Sequence, residues 1–324
     1  MTAYRAPSGL RARLIRAAGD VLTSRHGAQR LCVLNYHRIL ATPDPLLDGE
    51  PDVDTFRWQM QLLANCFNVL ALPEALAALD AGRLPPRAVC ITFDDGYRST
   101  HDLALPILRA YDLPATVFVT TACIGSGTMW NETIIDAVRK LPAGEVDLAD
   151  AGLGIRPLHS VADRQALLRE LTARVKYLPP DERHALTERL GALGGGAADL
   201  MLTADMIRTM ARQRIEIGAH TVSHPILASL DDDAARREIE QCKHDLEAIA
   251  GVPVRYFAYP NGKPGPDFDA RHAAMARAAG YEAAFTTVVD AATAAHDRYQ
   301  LPRSSPWDAT PTLYALRLLR WLAS

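Results

Sequence analysis

The sequence predicts an α/β fold, a distorted (β/α)7-type barrel with a helical insertion. Short apolar runs recur along the chain and most are followed by an amphipathic helical pattern, the alternation expected of a parallel sheet with helical crossovers. About seven such runs are present, one short of the closed eight-unit barrel. The residues able to carry chemistry fall at the carboxyl ends of these runs, where such folds build their sites. An open doubly wound sheet is the alternative architecture, with the same placing of the site.

The first run, residues 31–37, ends on Tyr36 and His37. A Pro/Asp/Gly-rich loop over 41–51 follows, and Asp54 is placed to cap a helix carrying Phe56, Met60, Leu63 and Ala64. Residues 67–72 read as a second strand, and Pro73 opens a helix that Gly82 closes. The run 88–93 stops at Asp94-Asp95-Gly96. A helix over 100–111, bent near Pro106, leads to a strand at 115–120. From 122 to 203 the rhythm breaks into helical patterns at 133–139, 164–175 and 182–190, an insertion over one face of the sheet. Alternation resumes with a helix at 204–212 and a strand at 215–220. The helix 234–250 has Ile239, Cys242, Leu246 and Ile249 on one stripe, and strands at 254–260 and 283–288 follow. The chain thus divides into an amphipathic segment 1–30, a main domain 31–305 and a helix within 306–324.

With 324 residues, 48% of them apolar and 23% charged, the chain can bury a large core. A net charge of −3 gives no general nucleic-acid footprint. The five cysteines are scattered and show no paired-thiol spacing, so reduced packing residues in a cytosol-like compartment are expected. Neither a secretory apolar region nor a membrane-length span opens the sequence, and a cytoplasmic protein is expected. Arg11, Arg13, Arg16 and Arg25 interleave with Leu10, Leu14, Ile15, Val21 and Leu22. That pattern fits a docked surface helix or a weak anchor at the inner membrane face. The same ambiguity attends the stretch from Leu316 to Trp321.

Successive side chains on a strand point to opposite faces, so Asp94 and Asp95 cannot do the same job from regular backbone. One can ligate an ion while the other handles a proton. His220 and His224 follow a later strand and stand four residues apart, a spacing that on a helix puts both rings on one side. With a carboxylate from another strand end they make a His-His-Asp set with open coordination positions. Asp95, His220 and His224 are therefore assigned as ligands of one divalent metal, and Asp94 as the base. Zinc suits the donors, as do cobalt, nickel or manganese. Trp130 and Trp307 each stand beside polar groups and are candidates to stack on a sugar ring or simply to pack.

Thr92-Phe93-Asp94-Asp95-Gly96 together with His220-Thr221-Val222-Ser223-His224-Pro225 resembles the polysaccharide deacetylases, the NodB-homology or carbohydrate esterase family 4 enzymes. The resemblance covers roughly residues 31 to 305 outside the insertion. It implies a distorted barrel, a metal held by the second Asp and both His, the first Asp as base, and removal of acetyl from an N-acetylated sugar. The third motif of that family usually reads aromatic-Arg-Pro-Pro-aromatic-Gly. Here the stretch is Phe257-Ala258-Tyr259-Pro260-Asn261-Gly262, with Ala258 in place of the arginine that orients the base. Arg303 is the candidate to supply that guanidinium from elsewhere. Tyr259, Pro260 and Asn261 are expected at the substrate, with the backbone N–H of Asn261 holding the oxyanion. The family's terminal Leu-x-His is absent, since the last histidine is His296. In a closed barrel the first and last strands are neighbours, so His37 can fill that position as general acid. This order resembles the permuted motifs of poly-N-acetylglucosamine deacetylases.

The expected function is metal-dependent removal of N-acetyl groups from a saccharide, such as a cell-envelope or exopolysaccharide precursor. Hydrolysis of a non-sugar amide, and a non-catalytic saccharide-binding role, are the alternatives.

Overall fold

The computed structural model describes residues 6–24, 29–125, 128–194, 199–305 and 308–323. Its centre is a parallel sheet of β1 (Leu31–Tyr36), β2 (Asn68–Val69), β3 (Ala88–Phe93) and β4 (Ala115–Val119), continued after a separate antiparallel pair, β5 (Gly144–Asp147) and β6 (Ile155–Leu158), by β7 (Ile215–Ala219), β8 (Tyr256–Ala258) and β9 (Ala283–Phe285). The spatial order is β1-β3-β4-β7-β8-β9. Ala88 and Val89 of β3 pair with both β1 and β2, while Thr92 and Phe93 pair with both β1 and β4. All six residues of β1 and of β3 are buried, the continuous apolar run of a strand covered on both faces.

The gap between β9 and β1 is bridged by the segment 301–304 rather than by a full strand. Leu301 N–H donates to Ala284 O at 2.9 Å and Ser304 N–H to Val33 O at 2.9 Å. Asn35 N–H returns to Ser304 O at 3.1 Å. The curled sheet is thereby drawn into a distorted barrel, and Arg303 is carried between the first and last strands. Alternation along the strands then sorts the side chains. Cys32, Leu34 and Tyr36 share one cluster with Val89, Ile91 and Phe93, whereas Leu31 and Val33 share another with Ala88, Cys90, Phe118, Phe285 and Leu301. Gly218 is required by this packing, because a Cβ there would collide with the Phe118 ring.

The helices are α1 (Gly9–Ser24), α2 (Val53–Cys66), α3 (Leu72–Asp80), α4 (Leu105–Ala110), α5 (Trp130–Lys140), α6 (Val161–Lys176), α7 (Pro180–Gly194), α8 (Ala204–Ala211), α9 (Asp232–Ala250), α10 (Ala270–Ala278) and α11 (Pro311–Ala323). Asp52, not Asp54, caps α2, its carboxylate accepting from Thr55 N–H at 2.8 Å. The strand expected at 67–72 shortens to two residues because Leu72 and Pro73 already begin α3. Near Pro106 the helical stretch changes character, a π-helical turn over Thr100–Ala104 preceding α4. The insertion is not wholly helical. The β5–β6 hairpin joins α5, α6 and α7, and these pack a core of their own around Ile134, Val138, Leu158, Leu167, Leu171 and Leu190. Its far end returns to the barrel mouth, where Leu202 N–H donates to Gly96 O at 2.9 Å. At the other end of the barrel α1 packs on α11 so closely that a Cβ on Gly19 would strike Leu319 and Arg87.

Candidate metal centre

β3 ends at Phe93 and Asp94 keeps the alternation of Ala88, Cys90 and Thr92. Its backbone N–H donates to Tyr36 O at 2.9 Å. At Asp95 the chain leaves regular extended geometry, with φ of 72° there and 86° at Gly96. This left-handed turn brings two adjacent carboxylates to the same mouth, both buried. Left-handed φ recurs at Thr221 (66°), His224 (54°) and Asn261 (60°), each in a loop following a barrel strand. Non-glycine residues held there mark strained loops of the kind that cluster at functional sites.

His220 and His224 are not on a helix. The loop between them turns at Thr221, whose hydroxyl accepts from His224 N–H at 3.1 Å. Glu238 of α9 clamps that loop, accepting from Val222 N–H and Ser223 N–H at 2.8 Å each and from Ser223 Oγ at 2.7 Å. The helical argument for the spacing therefore does not apply, although the convergence it implied is present. His220 Nε2 and His224 Nε2 each stand 3.4 Å from Asp95 Oδ1. Ligand atoms of the three residues all lie within 4.8 Å of one another, a cluster suited to hold one divalent metal. His220 Nδ1 is 2.8 Å from Ala258 O, which fixes the proton there and leaves Nε2 free to ligate. Ala258, standing where the family's arginine is expected, thus contributes its carbonyl. Nδ1 of His224 is buried without a hydrogen-bond partner among the described residues.

The charges are strongly coupled. Burial opposes ionisation of Asp95, but His220 and His224 outweigh it and hold the carboxyl well below the usual range. Burial pushes His224 down to about 4, so its imidazole is neutral at pH 7. For His220 burial is outweighed by Asp94 and Asp95, and its pKa is raised.

Arg303 meets Asp94 as a fork. Nη1 reaches Oδ1 and Nη2 reaches Oδ2, each at 2.7 Å. Nε donates to Thr286 O at 3.1 Å and Nη1 also to Thr92 Oγ1 at 3.2 Å. The guanidinium is 1% exposed and lies 5.3 Å from the Phe118 ring centroid. Asp94 is held below the usual carboxylate range, burial opposing and Arg303 leading the groups that win. His37 follows Tyr36, whose strand partner Phe93 precedes Asp94, and a charge on its half-buried ring acts on both Asp94 and Asp95.

The Tyr259 ring lies in the core, stacked on Phe268 at 3.8 Å with its hydroxyl donating to Tyr299 O at 2.9 Å. The Tyr259 side chain is thus spent on the core, and any contact that Tyr259 offers a substrate comes from its backbone. Asn261 N–H has no acceptor among the described residues, and Gly262 crosses so close to Thr287 that a Cβ would clash. Trp130 opens α5, half-buried, with Nε1 enclosed and unpartnered among the described residues. Trp307 lies outside the described residues. His296 sits apart from the cluster, its Nδ1 2.9 Å from Thr293 Oγ1. Sequence reasoning missed a second ion pair, in which Arg38 holds Glu132 with Nη1–Oε2 at 3.0 Å, and Tyr97 donates to the same carboxylate at 2.8 Å. Arg38 follows His37 and Tyr97 follows the Asp-Asp-Gly turn, but nothing in the chain signals their meeting with α5. Arg183 of α7, beside His224, was missed as well.

The family described as polysaccharide deacetylase matches residues 81–284. The chain belongs to the polysaccharide deacetylase family. Among curated proteins, this deacetylase-family chain is similar to a poly-beta-1,6-N-acetyl-D-glucosamine N-deacetylase of Staphylococcus epidermidis, at 32% identity over 40% of the chain and 49% of that protein. A Staphylococcus aureus protein of the same name is 28% identical over 34% of the chain and 41% of its own length. The chain thus spans about half the length of the curated relatives it matches. In fold it is similar to the Streptococcus pyogenes deacetylase PplD, with a TM-score of 0.60 and 21% identity over 91% of this chain and 99% of that one. IcaB from Ammonifex degensii gives 0.55 and 20% over 91% and 98%.

Proposed function

We propose that this member of the polysaccharide deacetylase family removes N-acetyl groups from an N-acetylated saccharide, using one divalent metal. The observation that carries the reading is the convergence of His220 Nε2 and His224 Nε2 on Asp95 Oδ1 beside the Asp94–Arg303 fork. Two ligands on a tetrahedral ion with bonds of about 2.1 Å stand about 3.4 Å apart, the separation found from each imidazole to Asp95. That fit and the two-imidazole, one-carboxylate donor set favour zinc, with cobalt, nickel and manganese as competitors. A divalent ion held there would acidify a water and polarise the acetyl carbonyl.

The chain's own residues supply the rest. Asp94 Oδ takes the water's proton. A carboxylate held so firmly ionised is a weak base, so it serves only for a proton already made acidic. Arg303 fixes the carboxylate plane and keeps it charged. Asn261 N–H, lacking an internal acceptor, is the donor for the developing oxyanion. His37, across the β1–β3 ladder from Asp94, delivers a proton to the departing nitrogen, which is otherwise a poor leaving group. Residues 31–305 form the catalytic domain in this reading.

The test is acetate release from chito-oligosaccharides and from β-1,6-linked N-acetylglucosamine oligomers, before and after chelation and with metal added back. Metal-dependent release supports the reading. Release that survives complete metal removal, or metal-dependent release only from non-sugar N-acetyl amides, overturns it.

A cytoplasmic location, peripheral at the inner membrane face, goes with this proposal. The five cysteines are free and buried, which supports a reducing compartment. Among the described residues no helix is long and apolar enough to cross a membrane. α1 buries Ala12 and Gly19 and turns Leu10, Leu14 and Val21 outward, with Arg11 and Arg13 exposed beside them. At 3.6 residues per turn the outward leucines fall opposite the packed face, and arginines flank them, which fits shallow contact with anionic lipid.

A further inference from the structure

Arg183, in the first turn of α7, is 8% exposed. No carboxylate lies within 4.0 Å of its guanidinium among the described residues, unlike the guanidinium groups of Arg38 and Arg303. Among the described residues its one hydrogen bond is long, Nη1 to His224 O at 3.5 Å. The acid that acts on it, Glu238, is already committed to Val222 and Ser223. A cation this deeply placed is costly unless something negative meets it. Its Nε and Nη2 are not among the fully enclosed unpartnered atoms, so they border open space beside a metal ligand.

The neighbour on the other side is Trp130, whose ring centroid is 5.6 Å from the Arg183 guanidinium carbon. Its indole Nε1–H is enclosed without an acceptor among the described residues, so it is the half-buried ring, not the N–H, that a ligand could meet. Two helices of the insertion, α5 and α7, thus bring a half-buried indole ring against a guanidinium without a carboxylate partner among the described residues, next to His224. Arg303 neutralises Asp94, whereas Arg183 has only Glu238, beyond ion-pair distance and already committed, to offset it. A planar guanidinium with free N–H groups takes a carboxylate or phosphate two-pronged, and an indole face beside it covers a sugar ring.

We propose that Arg183 and Trp130 form an anion-binding subsite, so that the preferred substrate is an N-acetylated saccharide bearing a carboxylate or phosphate near the acetamido group. This rests on the deacetylase reading for its substrate, and it adds a specificity that a neutral N-acetylglucosamine polymer does not satisfy. Arg183 selects the substrate and takes no part in the proton transfers.

The experiment compares short N-acetylated oligosaccharides that differ only in charge: neutral, carboxylate-bearing and phosphate-bearing. Acetate release is measured with the metal-loaded wild type, Arg183→Met and Arg183→Lys, and metal content and calorimetric binding are measured in parallel. Wild type is expected to favour one anionic series by about 10-fold or more in kcat/KM, carried by KM, since a buried charge-assisted pair is worth that much. The series that wins tells carboxylate from phosphate. Arg183→Met should lose at least about 10-fold more on that series than on the neutral one while keeping its metal, with Arg183→Lys between. Equal use of neutral and anionic substrates by wild type overturns the subsite. So does an Arg183→Met loss that is the same for both series or that tracks loss of metal, which would make Arg183 only a support for the His224 loop. Should no acetate be released from any saccharide, the deacetylase reading fails, and calorimetry still decides the subsite. Tighter binding of anionic sugars that disappears in Arg183→Met upholds it, and charge-independent binding refutes it.

Discussion

Asp95, His220 and His224 come from two short stretches whose loops bend left-handed to aim them, whereas Asp94 and His37 follow the inward alternation of their strands and wait for Arg303 to arrive from the far end of the chain. One half of the mouth is made by local backbone strain, the other by closing the barrel. Their energetics differ accordingly. The metal half gathers a carboxylate and two imidazoles whose mutual attraction a cation would replace. The proton half is a complete buried ion pair without any ion, its four close contacts already made. Removing a group from the first half should cost metal, and removing one from the second should cost turnover and folding.

The largest expected effect separates the halves directly. His224→Ala should abolish both metal retention and activity. Asp94→Asn should lower kcat by about 10³-fold with the metal still bound, as loss of a positioned proton acceptor does. Metal analysis beside initial rates distinguishes them, and Asp94→Asn protein that is active or metal-free would break the division.

Arg303→Met tests the closing segment. It leaves the Asp94 carboxylate buried and unpaired, a loss of about 3–5 kcal/mol in unfolding free energy by denaturant titration. Without its largest opposing charge, Asp94 should also titrate higher, moving the acid limb of the rate profile upward in pH. An Arg303→Met protein as stable as wild type would mean that the fork is ornamental.

The smallest effect concerns protons and metal together. Folded His224 takes its proton only near pH 4, so at neutral pH it has none to lose, whereas His220 has a raised pKa and holds one more readily than a free imidazole. Metal uptake near neutrality should therefore release protons chiefly from His220, and affinity should weaken as pH falls through the range around and above about 6.5. Calorimetry in buffers of different ionisation enthalpy reads this release, and metal binding independent of pH between 6 and 8 would contradict it.

The barrel strands were legible because they are continuous apolar runs buried on both faces, and the Asp95, His220 and His224 cluster because its residue types sit at strand ends. Local geometry was not. The sequence offered a helical spacing for His220 and His224, while the structure uses a loop turned at Thr221 and clamped by Glu238. Tyr259 looked like a substrate contact and proves to be a core aromatic whose hydroxyl is spent on Tyr299. The β5–β6 hairpin escaped notice because its strands are only four residues long, half of their side chains are exposed and they show little apolar alternation. Arg183 and Glu132 could not be found from their own surroundings, since their meaning lies in contacts with residues 41 and 94 positions away.

The central claim is that one cation belongs between Asp95, His220 and His224, and anomalous diffraction from crystals of the zinc-loaded protein tests it most directly. One strong peak is expected about 2.0–2.2 Å from His220 Nε2, His224 Nε2 and an Asp95 oxygen, with Asp94 left to Arg303 outside the coordination sphere. A peak elsewhere, or one that Asp94 ligates while either imidazole stands away, would contradict the claim.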